Sequence, residues 1–404
     1  MVALLQLALA LQLLPSAQPL FFLANFNDTS TLRLNGGAAL SVCGDANATF
    51  GYASPLVGAT DGPGGVTLAA FDEAPGSRAL RTVAPFDGAA AANESRLLAG
   101  FGGRDSFSGA PAQGGGCAVR LRLTPPRPFK AAAAFHLEPV PVLDGWEAGF
   151  VLQLTEPARQ CTRVKDATFG TASHAACTVA GGDGLAFVVH GDPAVGSAAL
   201  GEGGGGLGYA GLPRAVAVEF DTWFNPGGGV GDLPWDHVAV QAAPAGGAEF
   251  CAGRARVTAG TDTRVSGAPL RVDLADGAPH AVRVAYYPAL RADFVSRFVG
   301  APPLLQHLTA GADRRPVGTL AVWVDEVDAA TGEAAGAAPG AARNGSLLPT
   351  LALPLNINEA LRLAGDQAWV GLTAATGSAA WQAHDVLSWY FCERAGCEGW
   401  AGAA

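Results

Sequence analysis

Short alternating or continuously apolar runs recur along this 404-residue chain, separated by clusters of Gly, Pro and Asp. Ala148–Leu154, Gly184–Val189, Ala215–Thr222, Val238–Gln241, Ala281–Tyr287, Thr319–Val324, Ala368–Ala374 and Asp385–Phe391 have the length and the β-branched or aromatic content of strands. Long amphipathic helical patterns are missing. Many strands joined by polar turns, with no strand–helix alternation, predict an all-β antiparallel sandwich. Residues 51–116 are rich in Gly, Ala, Pro and Ser with weak periodicity and read as an insertion or loosely ordered lobe. Ala242–Ala268 and Ala329–Arg343 read as further long loops, and no internal repeat is present.

The N-terminus reads differently. Val2–Leu14 is apolar except for Gln6 and Gln12, and Pro15-Ser16-Ala17 follows, as in the apolar core and small-residue cleavage site of a signal peptide. The alternative is a buried N-terminal helix. Residues 1–17 are thus expected to be removed, leaving one domain at 18–397 with an insertion at about 43–117, and a tail at 398–404. No later segment has the roughly 18 uninterrupted apolar residues of a membrane span. Four acceptor sequons, at Asn27, Asn47, Asn93 and Asn344, agree with a secreted glycoprotein, or with residence in the secretory-pathway lumen. The seven cysteines, Cys43, Cys117, Cys161, Cys177, Cys251, Cys392 and Cys397, lack zinc-type pairing and would mostly form disulfides in an oxidising compartment. Cys161 with Cys177 and Cys392 with Cys397 are plausible local bridges, Cys43 with Cys117 would close off the insertion, and one cysteine is left over. The net charge of −10, without a basic block, argues against binding nucleic acid through phosphates.

Candidate chemistry concentrates between Gly182 and Gln241. Val216–Asp221 places apolar residues on one face of a strand and Glu219 and Asp221 on the other. Asn225, Asp232 and His237 follow closely. Hard cations such as calcium take carboxylate, amide and carbonyl oxygens. Manganese accepts carboxylates together with an imidazole. If the loop Asn225–Asp236 folds back, these five residues can hold two neighbouring metals. The competing reading is a strand with solvent-facing carboxylates beside a surface loop.

Several motifs, in order, extend over nearly the whole mature chain. Val216-Ala217-Val218-Glu219-Phe220-Asp221-Thr222-Trp223-Phe224-Asn225, followed by Asp232-Leu233-Pro234-Trp235-Asp236-His237, resembles the metal-binding signature of the L-type (legume-like) lectins. Gly182–Phe187 resembles the preceding sugar-site strand, and Gly203–Gly208 the glycine-rich loop. Val370–Gly377 and His384–Trp389 resemble the closing strands. This resemblance implies a concanavalin-like antiparallel β-sandwich (jelly roll) with long loop insertions. Glu219 and His237 would hold a transition-metal ion, expected to be Mn2+, and Asp221 and Asp232 would bind both ions. Asn225 and the Trp223 carbonyl would complete a Ca2+ site, with Asp236 as the substitute for Asp232. The sugar would meet the Asp183 carboxylate, a backbone N–H of Gly204 or Gly205, the Asn225 amide and the Trp223 ring. The peptide before Asp183 would be cis. His174, His190 and His384 are expected to be structural.

The presence of both Glu219 and His237 resembles the plant and bacterial branch of that family. A carbohydrate-binding protein rather than an enzyme is therefore expected, with glycans or glycoproteins as partners and homo-oligomers as an option. Glycoside hydrolases on the same kind of sandwich use Glu-x-Asp-x-Glu on one strand. Here the third position is Trp223. No Gly-x-Ser-x-Gly elbow is present. A cargo lectin or receptor ectodomain of the secretory pathway is the other alternative.

Overall fold

The computed structural model describes residues 19–24, 26–42, 119–165, 173–225, 236–242, 257–262, 274–275, 277, 279–297, 317–325, 349–363 and 365–395. The proposed signal peptide, the 43–117 insertion and the Ala329–Arg343 loop lie outside these residues, as do Asp232, Trp235, Cys43, Cys117, Cys251 and Cys397.

The strands are, in order, β1 (Phe21–Leu23), β2 (Leu32–Gly36), β3 (Ala39–Val42), β4 (Val119–Thr124), β5 (Ala131–His136), β6 (Val140–Pro141), β7 (Trp146–Thr155), β8 (Ala158–Lys165) and β9 (Ser173–Ala180). They continue with β10 (Gly184–His190), β11 (Ala215–Asp221), β12 (His237–Ala242), β13 (Val257–Asp262), β14 (Pro279–Tyr287), β15 (Gly318–Val324), β16 (Leu351–Leu355), β17 (Gln367–Ala375) and β18 (Ala383–Cys392). One α-helix, Ile357–Leu361, is present among the described residues, and the Asn356 side chain caps it by accepting from the Glu359 N–H.

Two antiparallel sheets form the predicted sandwich. The first has the order β16-β15-β14-β7-β18-β4-β3, with β1 also on β18. The second has the order β13-β12-β11-β10-β17-β5-β2, with β6 also on β17. A strand sends alternate side chains to opposite faces. Trp146, Ala148, Phe150, Leu152 and Leu154 of β7 accordingly join the core shared with Leu185, Phe187 and Val189 of β10 and Val216, Val218 and Phe220 of β11. Aromatic rings tie the layers together: Phe150 meets Phe220 edge-on at 5.7 Å between centroids, and Trp146 meets Phe187 at 5.6 Å. Such pairs add roughly 0.5–1.5 kcal/mol each beyond the area they bury.

Each strand expected from the sequence is present, β11 shorter by one residue and the others longer by one to three. One expectation is corrected. The region Ala242–Ala268 is not wholly loop, because Val257–Asp262 forms β13, the edge strand beside β12, in the register His237 to Asp262. An edge strand is held by main-chain bonds on one side, so its sequence needs little apolar alternation. The alanine run of β5 gives no clear period either, although Phe135 faces Gly371 and Ala131 faces Ala375 in its ladder to β17. Among the described residues, strands β8 and β9 pair only with each other, and that register sets Cys161 opposite Cys177. Cys392 is disulfide-bonded.

Candidate functional site

The outer face of the second sheet, away from the shared core, carries the site. A small apolar cluster covers its middle. Ala133, Phe135, Ala186, Val188, Ala215 and Ala217 of the sheet pack against Ala199, Leu207, Tyr209, Ala210 and Leu212 of the segment that crosses it. Next to this cluster, on the same face, the β10–β11–β12 ladder sets Gly184 opposite Asp221, Glu219 opposite Ala239, and Asp221 opposite His237.

Glu219, Asp221 and His237 do share one face, but they are not solvent-facing: their relative exposures are 4%, 5% and 3%. Burial of two like charges two residues apart is unfavourable unless donors or cations compensate. Part of the compensation is visible. The Tyr209 hydroxyl donates to Glu219 Oε1, the Gln241 Nε2 donates to Glu219 Oε2 at 2.8 Å, and the Trp223 N–H donates to Asp221 Oδ1 at 2.8 Å. Tyr209 and Gln241 were not singled out from the sequence. Gln241 was legible in principle, since it shares the strand parity of His237 and Ala239 on β12. Tyr209 arrives through the path of the glycine-rich segment, for which no local pattern exists. Among the described residues, no three His, Cys, Asp or Glu side chains form a group able to hold a metal ion. Asp232 lies outside them, and Asp236, the substitute, is a partly buried residue at the entrance to β12.

Asp183 lies just before β10, and Trp223 and Asn225 follow β11 at the end where Gly184 pairs with Asp221. The Gly182–Asp183 peptide is cis, as expected from the resemblance. The Asp183 N–H donates to the Ala375 carbonyl at 3.0 Å, and the Asp183 carbonyl accepts from the Thr222 N–H at 2.9 Å and the Thr222 hydroxyl at 3.1 Å. Both sides of its backbone are thus fixed. Its side chain is not: Asp183 is 2% exposed, and Oδ2 has no hydrogen-bond partner. Burial raises its pKa from 3.8 to about 7. A desolvated carboxylate without a donor is costly, so this oxygen calls for one.

Neighbouring groups frame that oxygen. A Cβ placed on Gly377 would lie 3.0 Å from Asp183 Oδ2, so the bare main chain of the β17–β18 turn walls one side. Trp223, half-buried, packs its Cβ and Cγ over Gly182, at 3.2 and 3.5 Å from the Cβ position there. The Asn225 side chain abuts Gly205, where a Cβ would stand 2.7 Å from Asn225 Oδ1. Only glycine lets the main chain approach that amide so closely. Gly204, with φ +60°, has no heavy atom near its Cβ position and faces open space. Phe224 is 41% exposed. His190 and His384 are fully buried and bonded to their surroundings, consistent with structural roles; the side chain of His174 lies outside the description.

No family model matches the chain, and no curated protein does. Solved structures of similar shape include a lectin from Bauhinia forficata in complex with GalNAc, with TM-score 0.41 and 14% identity over 92% of this chain and 96% of that one. The metal-free form of lectin I-B4 from Griffonia simplicifolia gives TM-score 0.37 and 19% identity over 67% and 86% of the two chains. The exoplasmic/lumenal domain of VIP36 in its Ca2+/Man2-bound form gives TM-score 0.37 and 14% identity over 68% and 76%. The sandwich assignment stands on the strand pairing of this chain itself.

Proposed function

We propose that this protein is a secreted carbohydrate-binding protein that recognises glycans at a shallow site formed by Asp183, Gly204, Gly205, Trp223 and Asn225. The observation that carries the reading is the buried Asp183 carboxylate, whose Oδ2 has no partner. Sugar hydroxyls are the donors it lacks. The Trp223 ring offers an apolar surface of the kind a pyranose face stacks on. Asn225 beside Gly205 supplies amide and main-chain donors.

The residue types after β10 are those a pair of cations takes, although among the described residues Glu219, Asp221 and His237 do not converge into a group able to hold an ion and Asp232 lies outside them. Two buried carboxylates, Glu219 and Asp221, share a face with a buried imidazole, His237, across one strand pair. Glu219 and His237 would hold a transition-metal ion, Asp221 and Asp232 would bind both ions, and Asn225 with the Trp223 carbonyl would complete the calcium site. The ions would supply positive charge to buried carboxylates and rigidity to the residues after β11, with no bond made or broken. The proposed domain runs over residues 18–397 behind a signal peptide at 1–17. A hydrolytic reading lacks its second acid. Trp223 stands where a second acid would be needed.

Glycan-array binding with calcium and manganese, and again in chelator, tests this. Binding should vanish on chelation and return with calcium. Asp183→Ala should abolish it while the protein stays folded. Normal binding by Asp183→Ala would remove the site assignment, and sustained sugar release abolished by Asp221→Asn would replace the lectin reading with an enzymatic one.

A further inference from the structure

A chain of buried polar side chains runs from the first sheet to the back of the Asp183 peptide. Thr124 Oγ1 lies 2.5 Å from His384 Nδ1. His384 Nε2 lies 3.3 Å from Gln382 Nε2. Gln382 Nε2 also donates to Thr222 Oγ1 at 2.9 Å, and Thr222 Oγ1 donates to the Asp183 carbonyl at 3.1 Å. Thr124, Gln382 and His384 are 0%, 1% and 0% exposed, so water does not substitute for the bonds among these three, whereas Thr222 is half-buried.

The directions of the bonds follow from the donor inventory. An amide nitrogen only donates. His384 Nε2 must therefore accept from Gln382, and the ring proton sits on Nδ1, from which it is donated to Thr124 Oγ1. The two amide hydrogens of Gln382 are then used, one on His384 and one on Thr222. Thr222 Oγ1, having accepted, has its own hydrogen left for the Asp183 carbonyl. The other amide atom is fixed as well. A Cβ on Gly181 would lie 2.1 Å from Gln382 Oε1, so the Gly181 main chain is pressed against that oxygen. The amide thus touches the chain on both flanks of the peptide before Asp183: Gly181 directly, and the Asp183 carbonyl through Thr222. Burial lowers the His384 pKa to about 3, which keeps the ring neutral and able to accept at ordinary pH.

We propose that Gln382 is a positioning residue for the glycan site, holding the Gly181–Asp183 segment through Thr222 and itself oriented by His384 and Thr124. This rests on the reading of Asp183 as the sugar acceptor. A rigidly held main chain at Asp183 fixes the direction of its carboxylate without a bond to the carboxylate itself.

The test uses the full-length mature protein with calcium and manganese, titrated calorimetrically with methyl α-mannoside and with methyl β-galactoside. Thr222→Val removes the hydroxyl at constant shape, and Thr222→Ser restores it. We expect Thr222→Val to weaken binding about tenfold, the worth of one lost hydrogen bond, and Thr222→Ser to bind within about twofold of the parent. Gln382→Met, of similar length and without donors, should weaken binding at least as much. Nitrogen-15 NMR of the imidazoles gives a readout that needs no ligand: His384 should carry its proton on Nδ1 in the parent. A proton on Nε2, or parent-like affinity in both Thr222→Val and Gln382→Met, overturns the proposal. If the parent binds neither glycoside, nor any glycan on an array, the glycan reading falls. The relay is then judged on the His384 tautomer alone, where Nδ1–H sustains it and Nε2–H ends it.

Discussion

Asp183 is a residue held at a cost. Its folded-state pKa of about 7 stands above the ordinary 3.8, because burial disfavours the charged form. Above pH 7 the metal-free fold carries the full penalty of that charge. As pH falls from about 7 the folded state takes up the proton first and the penalty shrinks, and below 3.8 both states are protonated and it is gone. Asp183→Asn should therefore raise the unfolding free energy in chelator at pH 8 by on the order of 2–4 kcal/mol, read as a higher thermal midpoint, with the gain fading between pH 7 and 4. The same variant should bind no glycan. Thermal unfolding monitored across that range checks it; a lower midpoint at pH 8 would mean that the carboxylate already has a partner. Asp183 itself was singled out in the sequence through the resemblance of Gly182–Phe187 to the sugar-site strand of the L-type lectins, not through any local pattern. Its isolation was not. That depends on Ala375 at the end of β17 and Gly377 in the turn after it, nearly two hundred positions away, which no local pattern connects to it.

At the scale of elements, the parity of β11 was readable directly. Val216, Val218 and Phe220 alternate with Ala217, Glu219 and Asp221, and a period of two assigns the faces without further information. The register against β12 was not readable. A shift by one residue would have turned His237 into the core and left Asp221 facing Val238. The ladder that sets Asp221 opposite His237 is fixed by the burial of Val238 and Val240 on the other side. The segment Gly203–Gly208 was legible as glycine-rich and Asn225 was named through the resemblance, whereas the direct contact of Gly205 with the Asn225 side chain emerges only from the fold. Gly205→Ala tests that pairing. A methyl group 2.7 Å from Asn225 Oδ1 must displace the amide. Glycan affinity should fall about tenfold or more, the equivalent of a lost hydrogen bond, while the unfolding midpoint stays close to that of the parent. Unchanged affinity would separate Asn225 from the site.

At the scale of the molecule, two buried imidazoles oppose Asp183. Burial lowers the pKa of His190 from 6.5 to about 4 and that of His384 to about 3. Between pH 6.5 and 4 the unfolded chain therefore binds two protons that the folded chain refuses, and the folded Asp183 keeps one that the unfolded chain gives up. The net uptake on unfolding is about one proton, so stability should fall by roughly 1.4 kcal/mol per pH unit as acid is added. A thermal midpoint that rises on acidification over this range would contradict the burial of both rings. At lower pH a further element comes into play. Asp385 is fully buried, and despite the burial that opposes its charge, the bidentate contact with Arg122 at 2.8 and 2.9 Å and the approach of Arg120 at 3.4 Å hold its pKa below 3.8. The stability it contributes is present above 3.8 and disappears below it. These buried charges lie on β4 and β18 of the first sheet, and the sequence showed them only as polar letters alternating with Leu121 and Leu123.

The cluster under the crossing segment is built largely from alanine. Side chains of one carbon let Leu207 and Tyr209 settle almost onto the main chain of the second sheet, so the wall formed by Gly204 and Gly205 stands at a height dictated by Ala133, Ala186 and Ala217. Those positions act as shims. Adding or trimming a methyl group there would raise or lower one rim of the cleft without altering any group proposed to meet a saccharide. The breadth of ligands admitted could therefore drift through changes that a comparison restricted to the lining would overlook.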